Sequence, residues 1–222
     1  MTPNPQPKAR EVQISLIKWG KKNWRSFPWR RTAGPYDVMV AEVMLQQTRA
    51  SKVVNVYQAF RAAYPSFQKL AHSSLKEVEA LIRPLGLLYR AKLLREIALA
   101  VVKQFDGKLP ATKELLRQLP GVGEYISSAV ACFALGQRCA ILDTTILRAY
   151  QRVFKGINPA KQPWVTKELH SLAQLILPKT NVAKFNQYLL DFAALICTAK
   201  NPKCADCPIN TICCFYNRNQ AP

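Results

Sequence analysis

Apolar residues recur every three or four positions along most of the chain, the spacing that lines one face of an α-helix. The runs "VQISLIKWGKKNW" (12–24), "VVNVYQAFRAAY" (53–64), "LLREIALAVVKQF" (93–105) and "ELHSLAQLIL" (168–177) all carry it. "SLKEVEALI" (74–82) opens with Ser74 and Glu77 in capping-box spacing, a start signal for a helix. Strand-like alternation is scarce, and no internal repeat or low-complexity segment interrupts the pattern. The expectation is an all-α fold of roughly ten helices. Loops are expected at "TAGPYD", "RPLG", "FDGKLP", "KGINPAKQP" and "AKNPKCADCP". Residues 1–9, polar and proline-containing, are expected to fray.

Charge narrows the class of partner. The 222 residues carry 32 Lys+Arg against 13 Asp+Glu, a net charge of +19. That excess favours a polyanion, nucleic acid ahead of an anionic membrane surface. The basic residues are spread along the chain, as on the faces of a folded protein rather than in a basic tail. No run has the length and apolarity of a membrane span. "MTPNPQPKAR" has no apolar stretch behind a charge, so no export signal is expected and the location expected is cytoplasmic, nucleoid-associated. Five of the seven cysteines fall between residues 197 and 214, and crowding of that kind in an intracellular chain points to a metal site.

"LLRQLPGVGEY" (115–125) reads as helix, tight turn, helix. Gly121 and Gly123 permit positive φ and a close backbone approach around Val122. The helix that follows starts with free N–H groups, a ready site for a phosphate. Alone, this is also an ordinary helix–turn–helix corner. Cys197, Cys204, Cys207 and Cys213 are separated by six, two and five residues. Four thiolates in one loop suit a [4Fe–4S] cluster or a zinc ion. Zinc sites more often use two C-x-x-C pairs, and here there is one.

Acidic candidates are few. Asp143, in "AILDTTILR", is well placed to cap the helix that follows. Glu42, in "VMVAEVMLQQT", is a lone carboxyl on an apolar helix. If it is buried it suits proton donation, and if it faces solvent it does nothing in particular.

Hairpin, cysteine spacing with "NPKC" and "CP", "EVMLQQT" and "FPWRR" together resemble the helix-hairpin-helix (HhH-GPD) DNA glycosylases. That superfamily includes endonuclease III, the adenine DNA glycosylases and the short thymine–guanine mismatch glycosylases. The likeness runs from "FPWRR" at 27 to "CCF" at 213. It implies an all-α, two-lobed, endonuclease III-like fold: a six-helix barrel lobe over 31–135, and an iron–sulfur lobe made of 1–30 with 136–222. It implies a [4Fe–4S] cluster on the four cysteines, holding Lys200 and Lys203 against DNA, with Gly121, Val122 and Gly123 gripping the DNA backbone.

The same resemblance assigns the chemistry. Asp143 stabilises the cationic sugar as the base leaves, the task one carboxylate performs in glycoside hydrolysis. Glu42 protonates the base. Tyr125 stands where endonuclease III-like members have an attacking lysine, so Schiff-base chemistry is not expected and the enzyme should be monofunctional. Gln46 and Gln47 fill the gap left by a flipped base. Trp29, Arg30 and Gln187 resemble adenine-pocket residues. Other positions depart from the adenine enzymes. Leu87 and Leu88 replace tyrosines that wedge the opposite base, Thr145 replaces an asparagine, Ala50 matches the thymine–guanine enzymes, and the chain stops soon after the cluster loop.

The expectation is therefore a monomeric, monofunctional DNA N-glycosylase of base-excision repair acting on mismatched or damaged duplex DNA. The pocket residues tip it toward adenine opposite guanine or 8-oxoguanine. Thymine or uracil opposite guanine is the alternative, and a non-catalytic DNA-binding protein is the reading from another class.

Overall fold

The computed structural model describes residues 6–32, 34–154 and 167–219, and every regular element among them is helical. The first helix, α1 (Gln6–Asn23), buries Ala9, Val12, Leu16 and Gly20 along one stripe. Ala9 is 1% exposed, and its burial keeps residues 6–9 helical where fraying was expected. Residues 1–5 and the expected loop at 155–163 lie outside the described residues.

The chain divides into two compact units, Ser26–Gln137 and the segments up to Arg25 and from Arg138 onward. Residues 26–30, expected with the iron–sulfur lobe, group with the first of these. That unit runs through α2 (Trp29–Thr32), α3 (Pro35–Leu45), α4 (Ala50–Ala63), α5 (Phe67–Ala71), α6 (Leu75–Ile82), a 3₁₀ turn (Arg83–Leu85), α7 (Tyr89–Phe105), α8 (Lys113–Leu116) and α9 (Glu124–Phe133). Its centre is α3. Every residue from Tyr36 to Met44 is buried, and α2, α4, α7 and α9 all pack on it. A helix covered on all sides needs no polar face, so the sequence shows no helical period there. Its start is fixed by Pro35 in the first turn, which makes "PYD" helical where a loop was expected. Asp37, buried on α3, accepts a hydrogen bond from the Tyr57 hydroxyl (3.0 Å) and pairs with the Arg61 guanidinium of α4. The Ser74–Glu77 capping box forms as the spacing predicts, with reciprocal bonds of 3.2 and 3.1 Å.

The second unit adds α10 (Thr144–Val153), α11 (Lys167–Ile176), α12 (Val182–Leu195), a 3₁₀ turn (Asn210–Ile212) and α13 (Cys214–Asn219) to α1. Helix α1 packs on α11 and α12, and α10 packs on α12 and α13. Their inward faces form one core that includes Leu16, Ile146, Tyr150, Phe185 and Phe192. Asp191 of α12 is fully buried and takes both the backbone N–H (2.9 Å) and Nε (2.7 Å) of Arg25. Where ten helices were expected, the described residues hold thirteen α-helical segments; α2, α5 and α8 have only four or five residues, too short to print a period. No helix among the described residues is long and apolar enough to cross a membrane.

A glycine sets the approach of α1 to α12. A Cβ at Gly20 would sit 2.1 Å from Cγ of Tyr188. Gly20→Ala should therefore destabilise the protein by ~1–3 kcal/mol, outweighing the helix propensity that alanine adds. A thermal melt of the variant should show a midpoint lower by roughly 2–12 °C; an unchanged midpoint would mean that the Tyr188 ring moves aside at no cost.

Candidate active site

In the unit 26–137, the chemistry-bearing residues sit on α3, on α9 and on the turns that leave α3 and precede α7. Glu42 is 4% exposed, on the helix buried all round. The sequence left solvent exposure open for this carboxyl, and the structure buries it. Tyr125 lies half-buried in the first turn of α9, the helix that packs on α3. The chain leaves α3 at Gln46, which is half-buried, and at Gln47, which is exposed with φ +53°. Leu87 and Leu88 are 40% and 37% exposed just before α7. Ala50 is half-buried at the start of α4. Trp29 is buried, stacked on Phe27 (5.0 Å between centroids) with its face met by the Tyr57 edge (5.4 Å). Arg30 lies over the other partner of that stack, Phe27, at 5.1 Å. Both are thus held in an aromatic layer.

The hairpin divides its two glycines between two jobs. Gly121 has φ +62°, and a Cβ there would come within 2.4 Å of Leu93 Cδ1, so the fold itself requires glycine. Val122 is 4% exposed and pins the turn to the core. Gly123 does not use the positive φ that glycine permits: its φ is −82°, an ordinary value, and a Cβ would meet nothing within 4 Å. It is the N-cap of α9, and no side chain caps that helix. Nothing inside the protein asks for glycine at 123, whereas an outside partner approaching the helix start closely would. Glu124, the acid in that first turn, is paired with Lys113 and lies 3.5 Å from Arg117, which offsets its charge at the place where an anion would dock.

In the second unit Asp143 caps α10. Its Oδ1 accepts the backbone N–H groups of Thr145 (2.9 Å) and Ile146 (2.7 Å). The Thr145 hydroxyl reaches Oδ1 at 2.8 Å and Oδ2 at 2.9 Å, and its single hydrogen serves one at a time. So the residue that replaces the family's asparagine still orients the carboxylate. With Oδ1 taken by the cap, Oδ2 is the oxygen with capacity to spare.

The far end of α10 grips the cysteine loop. Arg148 donates through Nη2 to the carbonyls of Ala193 (2.9 Å) and Cys197 (2.9 Å). Arg152 donates to the carbonyls of Thr198 (2.6 Å) and Ala199 (3.0 Å), and lies 3.5 Å from the Cys197 sulfur. Neither arginine was read as functional from the sequence; their one signal is a shared helix face, four residues apart. Burial raises the Cys204 thiol pKa, and the neighbouring Cys213 and Cys197 raise it further. Burial pushes Cys207 up to about 12, with Cys213, Cys197 and Cys204 adding to the shift. The four sulfurs therefore feel one another, and as bare thiolates they would repel; iron in a cluster removes that repulsion, so the residues fit the group. Among the described residues no three His, Cys, Asp or Glu side chains close around a point as one metal ion requires. Lys200 and Lys203 stand exposed on this loop.

Gln187 is buried on α12, and its Oε1 accepts the indole N–H of Trp24 at 2.8 Å. An indole N–H only donates, so the amide oxygen faces Trp24 and the NH₂ faces away. The Lys184 ammonium lies over the same indole ring. Trp24 is a second residue the sequence did not single out.

These features place the chain in a known class. Residues 40–174 match the HhH-GPD superfamily of base excision DNA repair proteins, and residues 197–213 match the iron–sulfur binding domain of endonuclease III. The chain belongs to the HhH-GPD superfamily and carries its iron–sulfur binding motif. It is 37% identical to the thymine/uracil-DNA glycosylase of Pyrobaculum aerophilum, over 93% of this chain and 92% of that one. It is 37% identical to the adenine DNA glycosylase of Homo sapiens, over 90% of this chain but 38% of that one. The solved structure of a thermostable thymine-DNA glycosylase superposes with a TM-score of 0.90 at 31% identity, over 97% of this chain and all of that one (100%).

The hairpin generates a paired prediction. Gly121→Ala, strained in φ and crowded by Leu93, should lower the melting temperature. Gly123→Ala should melt within a few degrees of the parent, yet bind duplex DNA at least about tenfold more weakly by fluorescence anisotropy. Equal binding by parent and Gly123→Ala would remove the hairpin from the DNA contact.

Proposed function

We propose that this protein is a monofunctional DNA glycosylase that releases thymine or uracil mispaired with guanine. The choice of base rests on the Trp24–Gln187 hydrogen bond. Glutamine reads adenine best with both ends of its amide, donating to N7 and accepting from N6. Here one lone pair of the oxygen is engaged by Trp24, and the NH₂ on the other side suits a carbonyl acceptor such as O4 of a pyrimidine. Ala50 and the full-length match to a thymine/uracil-DNA glycosylase support the same reading.

The chemistry needs a cation stabiliser and a proton donor. As the bond from C1′ to the base nitrogen breaks, the sugar gains positive charge, and Oδ2 of Asp143 meets it, orients the water that adds at C1′ and accepts the proton that water loses. Glu42 supplies the hydrogen that the leaving base takes up. The products are the free base and an abasic site. The phenol of Tyr125 offers no amine for a Schiff base, so the strand stays intact. The cluster, where bound, keeps the 197–213 loop in shape, and Lys200 and Lys203 present positive charge to the DNA backbone.

Adenine opposite guanine or 8-oxoguanine is the second reading. The buried carboxyl of Glu42 in "AEVMLQQT" favours it, since a purine leaves most readily once a ring nitrogen is protonated.

Single-turnover incubation with duplexes holding T·G, U·G, A·G or A·8-oxoguanine pairs, followed by alkali, separates the readings. Release at T·G and U·G should exceed release at either adenine pair by at least tenfold, and the reverse order would overturn the pyrimidine assignment. Asp143→Asn keeps an N-cap residue and should fold and bind DNA like the parent. Its base release should fall about a thousandfold; retained release would take Asp143 out of the chemistry.

A further inference from the structure

Among the described residues Arg90 is the largest fully buried side chain, at 0% exposure. It sits in the first turn of α7, and everything it bonds is an oxygen. Its Nη1 donates to the carbonyls of Met44 (2.5 Å) and Gln46 (3.0 Å) and to the Thr48 hydroxyl (3.0 Å). Its Nη2 donates to the carbonyls of Leu85 (3.0 Å) and Gly86 (2.9 Å), and Nε to that of Leu87 (3.4 Å).

Those oxygens belong to two separate turns, 44–48 and 85–87. Each turn contains a non-glycine residue in the left-handed region, Gln47 at φ +53° and Leu87 at φ +49°. Such conformations cost on the order of 1 kcal/mol or more each and persist only where the surroundings impose them. The imposing group is shared. One planar guanidinium collects the carbonyls of both turns, and turning the carbonyls inward leaves Gln47 and Leu87 pointing out. A bridge from Tyr89 Oη to Gln46 Oε1 (3.4 Å) ties the same two turns at the surface. Burying an arginine is expensive. Core packing alone would be met by an apolar side chain, but the fork that reaches two turns at once is specific to arginine.

We propose that Arg90 is a positioning residue that locks the 44–48 and 85–87 turns together, so that Gln47 and Leu87 enter the duplex as one rigid wedge when a base leaves the stack. The proposal rests on the glycosylase reading above. It is distinct from the roles of Glu42 and Asp143, because Arg90 touches neither base nor sugar and acts only through the two turns.

The test is a mutant cycle on the full-length protein. Arg90→Lys keeps a buried cation but cannot span both turns. In the parent background it should slow single-turnover base release about 10- to 100-fold. In a Gln47→Ala/Leu87→Ala background, where the wedge is already gone, it should slow release no more than about threefold. Thr48→Ala, which removes one acceptor and perturbs folding less, should show the same pattern with a smaller loss, and it stands in if Arg90→Lys fails to fold. A second readout needs no catalysis: 2-aminopurine next to the mispair should brighten on binding of the parent and brighten less with either variant. Equal losses in both backgrounds would reduce Arg90 to a stabilising residue and overturn the proposal, as would a parent that binds the duplex without brightening the probe. A parent that brightens the probe but releases no base would defeat the glycosylase reading and leave the wedge standing.

Discussion

A buried charge must be surrounded by partners, or it costs several kcal/mol. This protein puts charges inside wherever a piece of backbone has to keep one shape. Asp37 ties α3 to α4 through Tyr57 and Arg61. Asp191 fixes the exit of α1 through the backbone and side chain of Arg25. Arg90 gathers the carbonyls of two turns. None of these is the cheapest way to fill space. Each converts a flexible junction into a specified one, because the charge is tolerable only with every partner in place.

The same economy runs along α10. Its first residue is capped by Asp143, and its last two turns hold the cysteine loop through Arg148 and Arg152. One helix of ten residues thus connects the carboxylate to the iron–sulfur loop. The loop also displays Lys200 and Lys203, so part of the large positive charge is kept on an element whose shape the cluster maintains. Charge supplies attraction to a polyanion without direction. Direction has to come from backbone of fixed shape, and in the hairpin Gly121 is required by the fold whereas Gly123 is not.

What could be read from the sequence was local. The Ser74–Glu77 box, the cap at Asp143, the hairpin glycines and the cysteine spacing all involve residues a few positions apart, and local spacing is what a sequence displays. Helix α3 was harder, since burial on every side erases the period that marks an amphipathic helix. The single-turn helices α2, α5 and α8 were invisible for want of length. Arg90, Arg148 and Arg152 were missed because their partners are main-chain carbonyls, which every residue possesses and no sequence pattern flags. Gly121 and Gly123 both permit a left-handed backbone and only Gly121 adopts it, because a glycine read from sequence carries no indication of whether conformation or clearance selected it.

Substrate choice shows the limit of residue identity most clearly. Gln187 as a letter suits adenine, because a free amide presents a donor and an acceptor side by side. Gln187 in place has its oxygen held by an indole N–H contributed from position 24, 163 residues away in sequence. The NH₂ on the other side of the amide is a donor. A pocket discriminates by the pattern of donors and acceptors it presents, and a neighbour outside the pocket can change that pattern without changing the residue that lines it. By such a contact a glutamine can present a different balance of donor and acceptor to its ligand while its identity stays the same. Under the proposed function, the choice of base is a property of the pair Trp24–Gln187 rather than of either residue alone.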